Sequence, residues 1–245
     1  MTLASEDAVL TWTEPDPIPL RGTLVLLPGR GESAQVYERF GRRLAADAYR
    51  VHAITAPADD PARAQEQLTS LLAAADPERP RIVAGSDAGA AFAAHLAATR
   101  RLPRASALIL AGLPATPRAA AGRDWDAELD ARSFCPTHRG RISEAGVRPG
   151  ELFTDLPGEW FDPDVPGEIT VPVLGVHGAD DPISPLDDVR RWYAAVPRAD
   201  LVSIAGAPHD VLNDQTHRTV AATVVLFLER LRNGALLART ERTYQ

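Results

Sequence analysis

Between Arg81 and Ala91 the chain reads Arg-Ile-Val-Ala-Gly-Ser-Asp-Ala-Gly-Ala-Ala. A short apolar run ends in a turn of small residues, and an alanine-rich helical stretch follows at once through Phe92, His95 and Leu96 to Arg101. A strand that passes this abruptly into a helix must bend its backbone hard against its neighbours. Glycine tolerates such a bend best. Gly85 and Gly89 therefore frame Asp87 as the apex of the turn. A second register, with Ser86 at the apex between Ala84 and Ala88, satisfies the same need less well.

The rest of the chain supplies the sheet that such a turn requires. Strand-like runs are expected at Ala8–Thr13, Gly22–Leu27, Arg50–Thr55, Arg81–Ala84, Ala105–Ala111, Val171–His177 and Leu201–Ala205. Helical spacing appears at Val36, Tyr37, Phe40 and Leu44, over Pro61–Ala75, over Leu186–Ala195 and over Val211–Leu231. Short apolar runs alternating with helices make βαβ units, and so a parallel sheet covered on both faces. From Leu113 to Thr170 the alternation stops, and a proline- and glycine-rich segment carries Trp125, Phe134, Trp160 and Phe161. An irregular segment longer than about 15 residues is usually a functional lid or disordered. Its large aromatics favour an ordered lid. The expected fold class is therefore α/β, a mostly parallel central sheet with helices on both faces. Residues 1–112 and 171–245 would form the core, and 113–170 a lid or cap inserted after the sixth strand.

Open sheets of this kind hold ligands at the ends of their strands. Three loops stand there: the turn at Asp87, Gly178-Ala179-Asp180-Asp181-Pro182-Ile183-Ser184-Pro185, and Pro208-His209-Asp210. In chain order they offer Asp87, then Asp180 or Asp181, then His209. That order, together with these motifs, resembles the α/β-hydrolase-fold superfamily along the whole chain, with G-x-D-x-G at the nucleophile elbow in place of G-x-S-x-G. Leu26-Leu27-Pro28-Gly29-Arg30-Gly31 is similar to the superfamily's oxyanion loop, with Pro28 where histidine is common. Gly178 to Pro185 is similar to its G-x-x-D-x-x-x-P acid loop, a register that selects Asp181 with Asp180 as the spare. The resemblance implies Asp87, His209 and Asp181 as catalytic residues, and an oxyanion hole from the backbone N–H groups of Arg30 and Ala88. Ser86 is the alternative nucleophile. The side chain of Arg30 would either pair with a substrate carboxylate or enolate or be solvated. Trp125, Phe134, His138, Trp160 and Phe161 are candidates for the substrate pocket.

An apex aspartate implies one of two chemistries. It can attack an electrophilic carbon to give an alkyl-enzyme ester, hydrolysed by water that His209 activates. Or it can remove a proton while the oxyanion loop holds an enolate. Tyr37, Tyr49, Tyr193 and Tyr244 all lie outside the lid, so the phenols that epoxide opening needs are missing there. Ala88 stands where haloalkane dehalogenases typically carry a halide-holding tryptophan and fluoroacetate-type enzymes an arginine. These departures bring forward a lyase reading, elimination of a carboxylate such as acetate from an acylated natural-product intermediate. A serine esterase through Ser86 and a non-catalytic ligand-binding protein on a hydrolase scaffold complete the alternatives.

Composition narrows the remainder. The chain has no lysine, so Schiff-base and lysine-base mechanisms are excluded. Cys135 is the single cysteine, so no internal disulfide or cysteine-based zinc cage forms. Cys135 and His138 are two potential ligands, too few for a metal site; the expectation is no metal and no cofactor. A net charge of −7 speaks against nucleic acid or an anionic membrane as partner. The expected partner is a small-molecule substrate, and the expected state a monomer or homodimer. With no bilayer-length apolar run and no basic-then-apolar leader at Met1, the expected compartment is the cytoplasm. His95 and His217 read as ordinary helix histidines, His177 as support for the acid loop, and Asp210 as a surface or capping carboxylate.

Overall fold

The computed structural model describes residues 9–118 and 124–237. Ala8, residues 119–123 of the expected lid, and both chain ends lie outside the described residues. The strands are β1 (Leu10–Trp12), β2 (Gly22–Leu27), β3 (Tyr49–Ala53), β4 (Arg81–Ser86), β5 (Ala107–Ala111), β6 (Val173–Gly178) and β7 (Ala199–Ile204). They form one seven-stranded sheet in the order β1-β3-β2-β4-β5-β6-β7. Only β1 runs antiparallel, against β3. The other neighbours pair in parallel, as expected for short apolar runs separated by helices.

Side chains alternate across the pleat, so the sheet buries two apolar layers. On one face Leu24, Leu26, Ile82 and Ile109 meet α1 (Glu38–Ala46) and, from near the C-terminal end, the long helix over His217–Asn233. On the other, Val25, Leu27, Val83 and Leu108 meet α2 (Pro61–Ala74) and α3 (Ala88–Ala98). The helix after β6, over Leu186–Ala194, joins this second layer through Val189 and Tyr193. Alanine richness has a steric use in α3, which is buried from Ala88 to Leu96 and lies flat on the sheet.

The excursion between β5 and β6 contains α4 (Trp125–Arg132), α5 (Pro136–Glu144), 3₁₀ turns at Glu151–Phe153 and Gly158–Phe161, and α6 (Val165–Glu168). Among the described residues five strands precede it, so it leaves the sheet after the fifth of these strands, where the sequence suggested the sixth. α7 (Leu186–Ala194) and α8 (His217–Asn233) complete the helices of the described residues. α8 begins later than its apolar pattern suggests. Val211 and Leu212 are buried, but they sit in hydrogen-bonded turns that follow His209.

The β4–α3 junction depends on its glycines. A Cβ on Gly85 would land on the backbone of Gly89, and one on Gly89 would land on the carbonyl of Leu27 in β2. Replacing Gly89 with alanine should therefore cost about 3 kcal/mol or more, or prevent folding. Gly140→Ala in α5, where a Cβ meets nothing within 4 Å, should change stability by less than about 1 kcal/mol. Urea unfolding of the two variants checks the contrast.

Candidate active site

Asp87 stands at the apex of the turn with φ 49° and ψ −118°. A non-glycine residue held there costs about 1–3 kcal/mol, offset by its surroundings. Its N–H donates to Ala111 O at 3.0 Å, and its own carbonyl accepts from Ala90 and Ala91 in the first turn of α3. Ser86 is the last residue of β4, still extended and buried. The positive φ falls on Asp87, between Gly85 and Gly89, and not on Ser86.

The structure brings Asp87, His209 and Asp181 together. His209 Nδ1 donates to Asp181 Oδ2 at 2.8 Å, and its Nε2 lies 3.2 Å from Asp87 Oδ1. That second approach is an ion-pair distance without hydrogen-bond alignment, and Nε2 is buried. Asp181 is oriented by the N–H groups of Ile183 and Ser184, which donate to Oδ1 at 2.8 and 3.1 Å. Asp180, one residue earlier, is exposed and stands outside this arrangement. His177 fills the expected supporting place: its Nε2 donates to Ser184 O at 2.7 Å and sits 3.2 Å from Asp181 Oδ2. Burial lowers its pKa despite the Asp181 charge, favouring the neutral ring.

Arg30 differs from both expectations for its side chain. It is 2% exposed, and its partner is Asp87 itself. Nε donates to Asp87 Oδ2 at 2.9 Å and Nη2 to Oδ1 at 2.7 Å, while the remaining Nη1 donates to Thr154 O at 2.6 Å. The backbone N–H of Arg30 also donates to Oδ2, at 2.9 Å. Ala88, the other expected oxyanion-hole residue, is buried as the first residue of α3.

These charges set one another. Burial would raise the carboxyl of Asp87, but the Arg30 guanidinium and then His209 outweigh it and hold the pKa well below the usual range. Burial would lower His209, but Asp181 and then Asp87 raise it to about 10. The resting site is thus an ionised Asp87, a charged imidazolium and a guanidinium, at full burial.

A second buried cluster braces the first, and the sequence did not reveal it. Arg132, at the end of α4, is fully buried. Its guanidinium donates to Glu128 Oε1 at 2.9 Å, to Glu32 Oε1 at 3.1 Å and to the carbonyl of Arg30 at 2.7 Å, and lies 3.8 Å from Asp210 Oδ1. Glu32 turns its other oxygen to the N–H of Gly29 at 3.1 Å and to the Tyr37 hydroxyl. Glu128 also accepts from the N–H groups of Gly150 and Leu152. Asp210 is therefore no surface carboxylate. It is buried, and it meets His138 Nε2 at 3.2 Å as well as Arg132. The one sequence signal for this cluster was Glu128 four residues before Arg132 on one helix. The long-range partners came only from folding.

The expected pocket residues do not converge on Asp87. Trp160 is buried in the α3 layer with its ring centroid 4.9 Å from that of Phe92, and Phe161 packs beside it. Trp125 packs at the edge of the opposite layer. Phe134 is 44% exposed. His138 is tied to Asp210. The excursion thus uses Trp160 and Phe161 to dock on the core, because burying large rings against α3 and the sheet is a strong pull. Cys135 precedes α5 as its N-cap residue, with its Sγ 3.7 Å from Arg39 Nη1. Among the described residues no group of three or more His, Cys, Asp or Glu side chains is arranged to hold a metal, and no helix is long and apolar enough to cross a membrane.

No family model matches the sequence. The structure is similar to that of a monoacylglycerol lipase from Paleococcus ferrophilus (TM-score 0.72, 16% identity, covering 94% of this chain and 99% of that one). An esterase from Rhodococcus sp. aligns with TM-score 0.69 and 20% identity over 91% of this chain and 95% of that one. A proline iminopeptidase from Mycobacterium smegmatis aligns with TM-score 0.68 and 16% identity over 92% and 95%. With the sheet order and the elbow, these likenesses show that the chain has the α/β-hydrolase fold.

Two outcomes follow from the charges. Because the folded pKa of His209 is raised, its contribution to stability is complete below about pH 6.5 and is lost as pH rises through about 10. Urea stability should fall across that window in the wild type and fall less in His209→Gln. Arg132→Met leaves buried carboxylates without their guanidinium, and should cost about 3–5 kcal/mol by the same measurement.

Proposed function

We propose that this chain is a hydrolase of a small organic molecule, working through Asp87, His209 and Asp181. The observation that carries this reading is the apex carboxylate of Asp87, 3.2 Å from a histidine that Asp181 orients from its other side. The hydrolases among its structural neighbours support it, as does the strained elbow, whose backbone strain suits a working site. Cofactor-free chemistry is included in the proposal, as are a cap role for residues 113–170 and a small-molecule partner.

The charges suggest how the steps divide. Arg30 withdraws from Asp87, and one carboxylate oxygen attacks an electrophilic carbon. The bond from that carbon to its leaving group breaks, the leaving group takes the electron pair, and an alkyl ester of Asp87 forms. Esterification removes the Asp87 charge, one of the two that keep His209 protonated. The ring then passes its proton to the departed leaving group and, now neutral, becomes the base for the next step. A water loses a proton to Nε2 and attacks the ester carbonyl. The N–H groups of Arg30 and Ala88 hold the resulting oxyanion. Collapse breaks the acyl carbon–oxygen bond, and the proton of the newly added hydroxyl passes to the departing alkoxide, which releases the alcohol and restores the carboxylate beside a reprotonated His209. Asp181 stays charged throughout, held by its loop N–H groups.

One observation favours a second reading. Both oxygens of Asp87 are capped by Arg30 and the whole site is buried, which suits a hydrolase scaffold that binds a ligand without turning it over.

The test is turnover of p-nitrophenyl acetate, styrene oxide and 2-chloropropanoate. At least one should be consumed, and Asp87→Asn and His209→Gln should each lower the rate by about 10³-fold or more. Ser86→Ala should stay within about threefold of wild type. A single turnover in ¹⁸O-water should place label in the Asp87 carboxylate. An unlabelled Asp87, with turnover still lost in Asp87→Asn, would replace the ester by proton abstraction and elimination. Loss in Ser86→Ala alone would make this a serine esterase. Consumption of none of the three would favour the non-catalytic reading.

A further inference from the structure

Asp87 cannot react while Arg30 holds it. The guanidinium donates to both carboxylate oxygens, at 2.7 and 2.9 Å, in a forked geometry that matches a carboxylate. A ligand that uses Asp87 must separate the two groups, and the guanidinium must then find another partner.

The surroundings restrict where that partner can come from. The Arg30 peptide is fixed on both sides, its N–H by Asp87 at 2.9 Å and its carbonyl by Arg132 at 2.7 Å. The side chain therefore pivots on its own bonds and stays beneath the segment that carries Thr154, whose carbonyl already holds Nη1. Nearby Glu32 is engaged by Arg132, Tyr37 and the Gly29 N–H. Asp210 is engaged by Arg132 and His138. Asp181 is taken by His209 and its loop. A buried guanidinium parted from its carboxylate, with the neighbouring acids taken, is an uncompensated charge, which proteins strongly disfavour. The ligand itself can supply the missing anion. His209 adds a second handle. Its Nε2 is buried, lies 3.2 Å from Asp87 Oδ1 and makes no aligned hydrogen bond.

We propose that the site takes a small organic acid, whose carboxylate replaces that of Asp87 on the Arg30 fork and so frees Asp87. Asp87 is then the internal stand-in for the ligand: the contact that closes the empty site is the contact that recognises its substrate class. The proposal rests on the reading of Asp87 and His209 as the working groups of the site, but binding alone tests it, without turnover.

The experiment compares acetate, butyrate and benzoate with acetamide, butyramide and benzamide at pH 7 and constant ionic strength, by calorimetry on the full chain. At least one acid should bind more tightly than about 10 mM, and about 10-fold or more tighter than its amide. Asp87→Asn removes the charge that competes for Arg30, so that acid should bind about 10-fold or more tighter still. Arg30→Gln should abolish binding. Arg30→Lys keeps the charge without the fork and should weaken binding, which preserves the test if the glutamine variant fails to fold. Amides that bind as well as acids overturn the proposal, because Arg30 would then leave Asp87 without needing an anion. So does an acid affinity unchanged within about twofold in Asp87→Asn, or no acid binding to that variant at all. Acids that bind without any turnover count against the hydrolase reading alone. Turnover of neutral substrates, with amides bound as tightly as acids, counts against the organic acid alone.

Discussion

The buried negative charge of Asp87 is what the rest of the site depends on. It sits at a backbone position that costs energy, at the end of a strand and the start of a helix that glycines allow to touch. A carboxylate at that depth has to be neutralised. The chain meets the need from both sides, with the Arg30 guanidinium on one and the protonated His209 on the other. Each response has a consequence. Arg30 caps both oxygens of Asp87, and His209 is held protonated at neutral pH. Asp181 would keep the ring oriented in either protonation state. The resting arrangement is therefore closed, and any ligand that reaches Asp87 has to change its partners.

Arg132 has the corresponding role farther from the elbow. It belongs to α4, yet it holds the carbonyl of Arg30 and the carboxylate of Glu32 in the loop after β2, and lies beside Asp210 next to His209. The backbone repeats the connection: the N–H groups of His209 and Asp210 donate to the carbonyls of Ala131 and Arg132. One end of the excursion is thereby attached to both loops that carry the site. Such a cluster adds little net stability over an apolar core of the same shape. It does impose geometry, because a guanidinium among three carboxylates has few equivalent arrangements. The opposite end of the excursion is attached differently, by Trp160 lying on Phe92 in an apolar layer.

Much of the fold is legible in the sequence because its signals are local. Seven apolar runs correspond to seven strands, and α1, α2, α3, α7 and most of α8 fall where their spacing puts them, whereas α4, α5 and α6 lie in the segment that reads as irregular. The exceptions also have local causes. Val211 and Leu212 extend the apolar pattern of α8, but the chain is still turning away from His209 there, so apolar spacing without a free backbone does not make a helix. Asp210 reads as exposed because nothing beside it in sequence explains a buried acid. Its partners, Arg132 and His138, come from the excursion. The aromatics of that excursion suggest a pocket because apolar residues in a lid either face a ligand or face the core. Composition does not distinguish the two.

The sequence by itself determined the sheet and the order of the three loops, and narrowed the apex of the turn to Asp87 or Ser86, with the glycine spacing favouring Asp87. Strand periodicity and the crowding at Gly85 and Gly89 are short-range effects that any fold containing this turn must obey. Tertiary structure alone decided what Asp87 meets there. The pairing with Arg30 joins residues 57 positions apart, and the bracing by Arg132 reaches 102 positions. Ion pairs over such separations depend on where each loop leaves the sheet and on how deeply each charge is buried. Neither quantity is written in the residues flanking them. An arginine in a glycine-rich loop reads the same whether it faces water, a ligand or a buried aspartate, and only the depth of the cleft decides among them.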